Sequence, residues 1–190
     1  DVAAFLINVE DIQITDFVES GQGRIVKNAG KARSMGAELS LTAIFTNELR
    51  LALNYGFTQA KFTDYQIKKG DVIVNDYNDK YIPFAPQNTF SANAIYNKRF
   101  QNQWIDGFSI QAQYNAAGKI YWTEENDVTQ DFYGVLNLKA GITKDIWNLS
   151  FWTQNTLDTE YAAFYFESMG RNLAQRGRPF TCGVDLSVTF

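Results

Sequence analysis

The sequence has no histidine and a single cysteine, Cys182. Neither a Ser-His-Asp nor a Cys-His catalytic set can be assembled from it, and the common zinc sites built on His or several Cys are excluded as well. Carboxylate-only chemistry stays open in principle, but no metal ligand, cofactor or catalytic residue is assigned, and none is expected. One cysteine cannot form an intrachain disulfide, so nothing reports the redox compartment. Proline is scarce, at 3 residues, and no run approaches the ~20 apolar residues of a membrane-spanning helix. A membrane role through helices is excluded. One through strands is not, because a barrel strand is polar at every second residue and hides from hydropathy averages. The net charge of −4 and a pI near 4.9 argue against nucleic acid as a partner. The chain opens on Asp1 without an initiator Met, basic segment or apolar segment, which leads us to expect a start well inside a longer protein.

What the sequence does have is aromatic residues, 15% of the total, and these favour pleated strands over helices. Gly, Asn and Asp clusters punctuate it at intervals of a strand plus a turn. Alternation is clearest at the end. Phe180, Cys182, Val184, Leu186, Val188 and Phe190 share one face, and Thr181, Gly183, Asp185, Ser187 and Thr189 the other. Seven further segments repeat the pattern. Met35, Ala37, Leu39, Leu41, Ala43 and Phe45 oppose Gly36, Glu38, Ser40 and Thr42, with Ile44 as an exception. Leu49, Leu51, Leu53, Tyr55 and Phe57 oppose Arg50, Ala52, Asn54, Gly56 and Thr58. Apolar faces also run through Phe90–Tyr96, Phe108–Tyr114, Gly134–Ile142 and Trp147–Phe151, with Trp152 fitting less cleanly. The first segment, around Phe5, Ile7 and Val9, is the least regular, since Leu6 and Ile12 fall on its other face.

Connections alternate in length. Short ones fall near 45–48, 97–105 and 143–146, and long ones at about 19–32, 63–87, 123–130 and 157–179. Outer-membrane barrels segregate their loops in this way. The polar face is mainly Ser, Thr, Gln, Asn and Gly, as suits a crowded lumen, and the seven clean apolar faces carry no charged residue. Aromatics gather at strand ends: Phe45, Trp104, Trp147 and Phe190 on the short-turn side, and Tyr55, Phe57, Tyr114, Tyr121, Trp122 and Phe132 on the other. Two such girdles match the two membrane–water interfaces. The fold class expected is all-β, an antiparallel transmembrane β-barrel meander with about eight strands present.

Several stretches resemble a known family. The final strand, with Val184, Leu186, Val188 and Phe190 on its apolar face, resembles the signal that outer-membrane barrels present to the barrel-assembly machinery; a greasy edge strand is a template for strand addition. NAGKARSMGAELSLT (28–42) and YGFTQAKFTDY (55–65) are similar to successive strands of TonB-dependent receptors. IPFAPQNT (82–89) is similar to that family's entry to the next strand, with Asn88 where His is frequent. WTQNTLDTEY (152–161) resembles a further motif and departs from it at Thr156, while GRPFTCGV (177–184) matches the closing strand loosely. The resemblance implies a barrel of about 22 strands, of which 1–190 is the C-terminal part, with the plug domain and TonB box lying outside it. It further implies a bacterial outer-membrane location, a transporter and not an enzyme, contact with TonB through the plug, and a small-molecule ligand such as a ferric siderophore.

On that reading the long loops carry the ligand contacts, and the candidates are Tyr65, Tyr77, Tyr81, Phe164, Tyr165, Arg171 and Arg176. Arg and Tyr offer charge-assisted bonds and stacking surface to an anionic aromatic chelate. The same aromatics suit an interfacial girdle, and the same cations suit outer-membrane lipid and the phosphates of lipopolysaccharide. Two other readings stay open: a complete eight-stranded outer-membrane barrel with a structural or adhesion role, and a soluble lipocalin-like binding protein.

Overall fold

A computed structural model describes residues 1–17, 24–28, 30–101, 103–168 and 170–189. Its strands are β1 (Val2–Glu10), β2 (Gln13–Phe17), β3 (Arg24–Asn28), β4 (Lys31–Ile44), β5 (Leu49–Asp64), β6 (Gln66–Lys69), β7 (Val72–Asp76), β8 (Asn88–Arg99), β9 (Gly107–Ala117), β10 (Ile120–Tyr121), β11 (Thr129–Gln130), β12 (Tyr133–Lys144), β13 (Trp147–Gln154), β14 (Ala162–Ser168), β15 (Arg171–Arg176) and β16 (Thr181–Val188). Eight of these form one antiparallel sheet in the order β1-β4-β5-β8-β9-β12-β13-β16. The other eight make four small hairpins, β2–β3, β6–β7, β10–β11 and β14–β15. Each hairpin belongs to one of the long connections, two of which begin earlier than expected, with β2 at Gln13 and β10 at Ile120, so the long loops are built structures. Alternation did not reveal them because their strands are too short to show a period.

The register carries the alternating faces across the whole sheet. Leu41 faces Leu53, which faces Ala92, which faces Tyr114, which faces Leu136. Ile142 faces Leu149, which faces Leu186. All belong to the apolar set, and Leu41 and Val184 remain 53% and 65% exposed, as lipid-facing residues of a barrel do. Ile44 pairs with Arg50 and Trp152 with Gly183, so both lie on the polar face.

Pairing also decides the first strand. Val2, Ala4 and Leu6 oppose Leu39, Ala37 and Met35, so they join the apolar face, while Phe5 and Ile7 oppose Gly36 and Ser34 on the polar one. Phe5 lies directly over Gly36, where a Cβ would approach its ring to 2.6 Å. Period two cannot choose between two apolar rows on one strand, and only the neighbouring strand does so.

The short turns and the outer ends of β1 and β16 lie on one side of the sheet, and the hairpin loops on the other. Among the described residues β1 and β16 are its two edges and do not pair with each other.

Candidate functional site

Every long connection leaves the sheet at the same end, and three of them pack into one body. Its first core forms where β5 runs past the apolar band. Phe62 is 0% exposed and packs with Ala32, Tyr65 and Tyr77, flanked by Ile12, Ile67 and Ile82. Tyr65 and Tyr77 stack with centroids 4.8 Å apart. Gly30, at φ +70°, turns the chain into β4 against the Asp64 carbonyl, where a Cβ would clash at 2.0 Å. The GKAR run is thus a strand-entry turn, and it needs glycine.

The β10–β11 turn latches onto this loop through its polar tip. The Tyr65 hydroxyl donates to Glu124 at 3.2 Å and that of Tyr77 to Glu125 at 2.8 Å. Asn126 accepts from the Tyr81 N–H at 2.7 Å and donates to its carbonyl at 2.9 Å. Burial pushes the Tyr77 hydroxyl up to about 12, with Glu125 adding to it against the opposing Asn75 amide. The group therefore stays protonated and keeps donating at any physiological pH.

A second core joins the β10–β11 and β14–β15 loops. Ile120, Trp122 and Tyr165 are buried together, with Ala117, Val128, Tyr133 and Ala162 around them. Trp122, expected in the girdle, is instead a core residue of the loops. Tyr121 stacks on Tyr81. Burial and the Glu167 carboxylate, which accepts a hydrogen bond from it at 2.8 Å, push the Tyr165 hydroxyl to about 12.

The connection after β13 is closed by one side chain. Asn155, 2% exposed, donates to the carbonyls of Thr159 and Arg178 at 3.0 and 2.9 Å and accepts from the Thr159 N–H at 2.9 Å. Asp158 accepts the Phe180 N–H at 2.8 Å. Tyr161 stacks on Tyr133 at 4.3 Å and covers Gly177. The Asn, Asp and Tyr of WTQNTLDTEY are thus the three residues that pin both ends of this loop.

The seven candidate contact residues separate into two groups. Tyr65, Tyr77 and Tyr165 are buried, and their rings and hydroxyls are committed to holding the loops together. Tyr81 is half-buried in its stack with Tyr121. Phe164 is 43% exposed and stacks on Phe84, itself 50% exposed. Arg171 and Arg176 are exposed at opposite ends of β15, and Arg176 pairs with Glu160. The structure thus brings Phe164 together with Phe84, which periodicity could not single out because it sits in a loop at φ +65°. It does not bring the two arginines together.

The polar face of the sheet holds a second feature. The Asp185 carboxylate accepts from Lys139 at 3.2 Å and from the Trp152 indole at 3.1 Å. Beside them Gln111, Gln113 and Asn137 line a depression of about 320 Å³. Among the described residues no cluster of acidic or cysteine side chains could hold a metal ion.

The profile of the family described as TonB dependent receptor-like, beta-barrel, matches residues 1–155. Among solved structures, the chain is similar to the ferric yersiniabactin uptake receptor FyuA from Yersinia pestis, with a TM-score of 0.81 and 20% identity over 100% of this chain and 27% of that one. It is similar to the ferric-catecholate import receptor Fiu from E. coli K12, with a TM-score of 0.70 and 18% identity over 100% and 25%. It is also similar to the copper transporter OprC, with a TM-score of 0.68 and 15% identity over 100% and 27%. The chain spans about a quarter of the length of these structures.

Proposed function

The chain belongs to the TonB-dependent receptor-like β-barrel family, and from that membership we propose that it supplies the C-terminal part of an outer-membrane importer for a metal chelate, a ferric siderophore first among them. Members of the family are outer-membrane proteins and transporters, and the apolar band described above fits that location. Ligand is bound and passed through, with no bond made or broken in it. The plug domain and TonB-contacting segment belong to the rest of the receptor, and TonB acts through that plug. Val184, Leu186, Val188 and Phe190 present the last strand to the barrel-assembly machinery. The first three lie on the outer face of β16; Phe190 lies outside the described residues.

The observation that supports the ligand reading is the packed loop body, which presents Phe84, Phe164 and Arg171 at its surface. Two stacked rings and a guanidinium suit an anionic chelate with aromatic groups. The shared fold does not choose the metal, since one similar structure is a copper transporter. An eight-stranded closed barrel would need β1 paired with β16, and the strand order does not support it. Family membership does not favour a soluble lipocalin-like protein.

The test is uptake of radioiron chelates by cells carrying or lacking the intact receptor. Uptake should require both receptor and TonB. Phe164→Ala and Arg171→Gln should each weaken chelate affinity about tenfold at unchanged receptor level, the loss expected for one stacking or charge-assisted contact. Receptor-dependent transport of copper with no iron chelate taken up would refute the siderophore assignment.

A further inference from the structure

Some cations on the outer face of the sheet have a carboxylate beside them, and three do not. At the short-turn end each has a carboxylate: Lys98 lies 2.8 Å from Glu48, and Lys144 lies 3.0 Å from Asp106. At the loop end Lys31 has Glu10 at 3.0 Å, whereas Arg33, Lys61 and Lys119 form a row, and among the described residues no ion pair joins any of these three to a carboxylate. Arg33 and Lys61 sit directly opposite each other on β4 and β5, on the same face as Tyr55 and Phe57. Like charges so placed destabilise a strand pair unless something neutralises them.

The row is held in shape. The Arg33 Nε donates to Asn8 at 2.9 Å. Lys61 bridges to Tyr81 across the sheet, with its ammonium 4.8 Å from the centre of that ring. Tyr81 stacks on Tyr121 at 5.0 Å with the planes 11° apart, and the Lys119 ammonium lies 5.1 Å from the Tyr121 ring. Two parallel rings thus stand between two ammonium groups, which fixes long side chains that would otherwise be free.

Depth decides what the row can meet. Lys61 is four residues beyond the girdle residue Phe57, about 13 Å along the strand and about 10 Å along the membrane normal at the usual tilt. That is headgroup depth. Below it the outer face passes Gln59, which faces Met35, and then offers Phe57, Tyr55 and Leu39 to acyl chains.

We propose that Arg33, Lys61 and Lys119 seat the phosphate groups of the phosphorylated glycolipid of the outer leaflet, whose acyl chains lie on the apolar band beneath. The inference rests on the outer-membrane barrel reading and names a partner for its outer wall. The row is open on the surface, so affinity needs the chains as well as the phosphates, and free phosphate is a poor occupant.

Native mass spectrometry of the intact receptor in mixed micelles tests this, with bisphosphorylated lipid A, the same lipid dephosphorylated, and inorganic phosphate as probes. The wild type should bind the bisphosphorylated lipid at least about tenfold more tightly than the dephosphorylated one. Lys61→Gln and Lys119→Gln should each weaken binding about fivefold, while Lys98→Gln changes nothing and millimolar phosphate does not compete. Equal binding of the two lipids, equal loss in Lys98→Gln, or full competition by phosphate would each overturn the proposal. The two-lipid comparison on unmutated protein stands even if a variant fails to assemble. Chelate uptake by the Lys61→Gln and Lys119→Gln receptors should stay at the wild-type rate, so failure of the lipid seat would leave the transport reading intact.

Discussion

Placing an arginine along β5 measures which face meets lipid. Leu53 lies midway between Leu49 and Phe57 on the outer row and is flanked by Leu41 and Ala92 on its two neighbouring strands. An arginine at the midplane of a barrel's lipid face costs about 2–4 kcal/mol, and near the interfaces about 0–1 kcal/mol. Leu53→Arg should therefore lower the folding equilibrium by about 30- to 1,000-fold, and Phe57→Arg by no more than about fivefold. Asn54, the next residue, points to the other face, where its amide donates to Ser91 at 3.1 Å. Asn54→Arg forfeits that one neutral bond, about 1 kcal/mol, and keeps its charge in a polar lumen. The assay is folding of the intact receptor into vesicles, read by heat-modifiable migration across a urea series. A cost for Asn54→Arg equal to that of Leu53→Arg would refute the assignment of faces, and a flat profile from Leu53 to Phe57 would refute the placement of the bilayer.

Phe62→Ala should cost about 3–5 kcal/mol of local stability, since its ring is fully buried; hydrogen exchange should rise in 63–87 while β4 and β5 stay protected, and unchanged exchange in the loop would count against the core described. Because the Tyr77 hydroxyl titrates at about 12 in place of its usual 10.0, its contribution to the loop latch is complete below pH 10 and is lost between pH 10 and about 12. Hydrogen exchange of 63–87 should show that loss in the wild type and not in Tyr77→Phe, and identical pH profiles would dismiss the latch. Deleting Phe190 should slow receptor assembly in pulse-chase labelling without changing chelate affinity of the assembled fraction; lost affinity would give Phe190 a role beyond assembly.

The sequence by itself determined the eight strands of the main sheet, the faces of all but the first, and the side on which the loops lie. A barrel strand between lipid and a polar interior is constrained residue by residue, with a period of two that needs no knowledge of its neighbours. That is why Leu53 and Val184 were legible at once. The short motifs were legible as resemblance but not as mechanism. Asn155, Asp158 and Tyr161 could be matched before it was visible that they pin a loop whose other end lies at Arg178 and Phe180. What only the tertiary structure decided comes down to partners distant in sequence. Register against β4 chose between the two apolar rows of β1. Packing between loops turned Tyr65, Tyr77 and Tyr165 from candidate contacts into core residues, because a tyrosine whose hydroxyl meets a glutamate can be buried whole, and nothing near Tyr65 or Tyr77 in sequence announces Glu124 or Glu125. The row of Arg33, Lys61 and Lys119 came from three separate segments for the same reason: adjacency across a sheet is a property of pairing, and pairing is not written in any single strand.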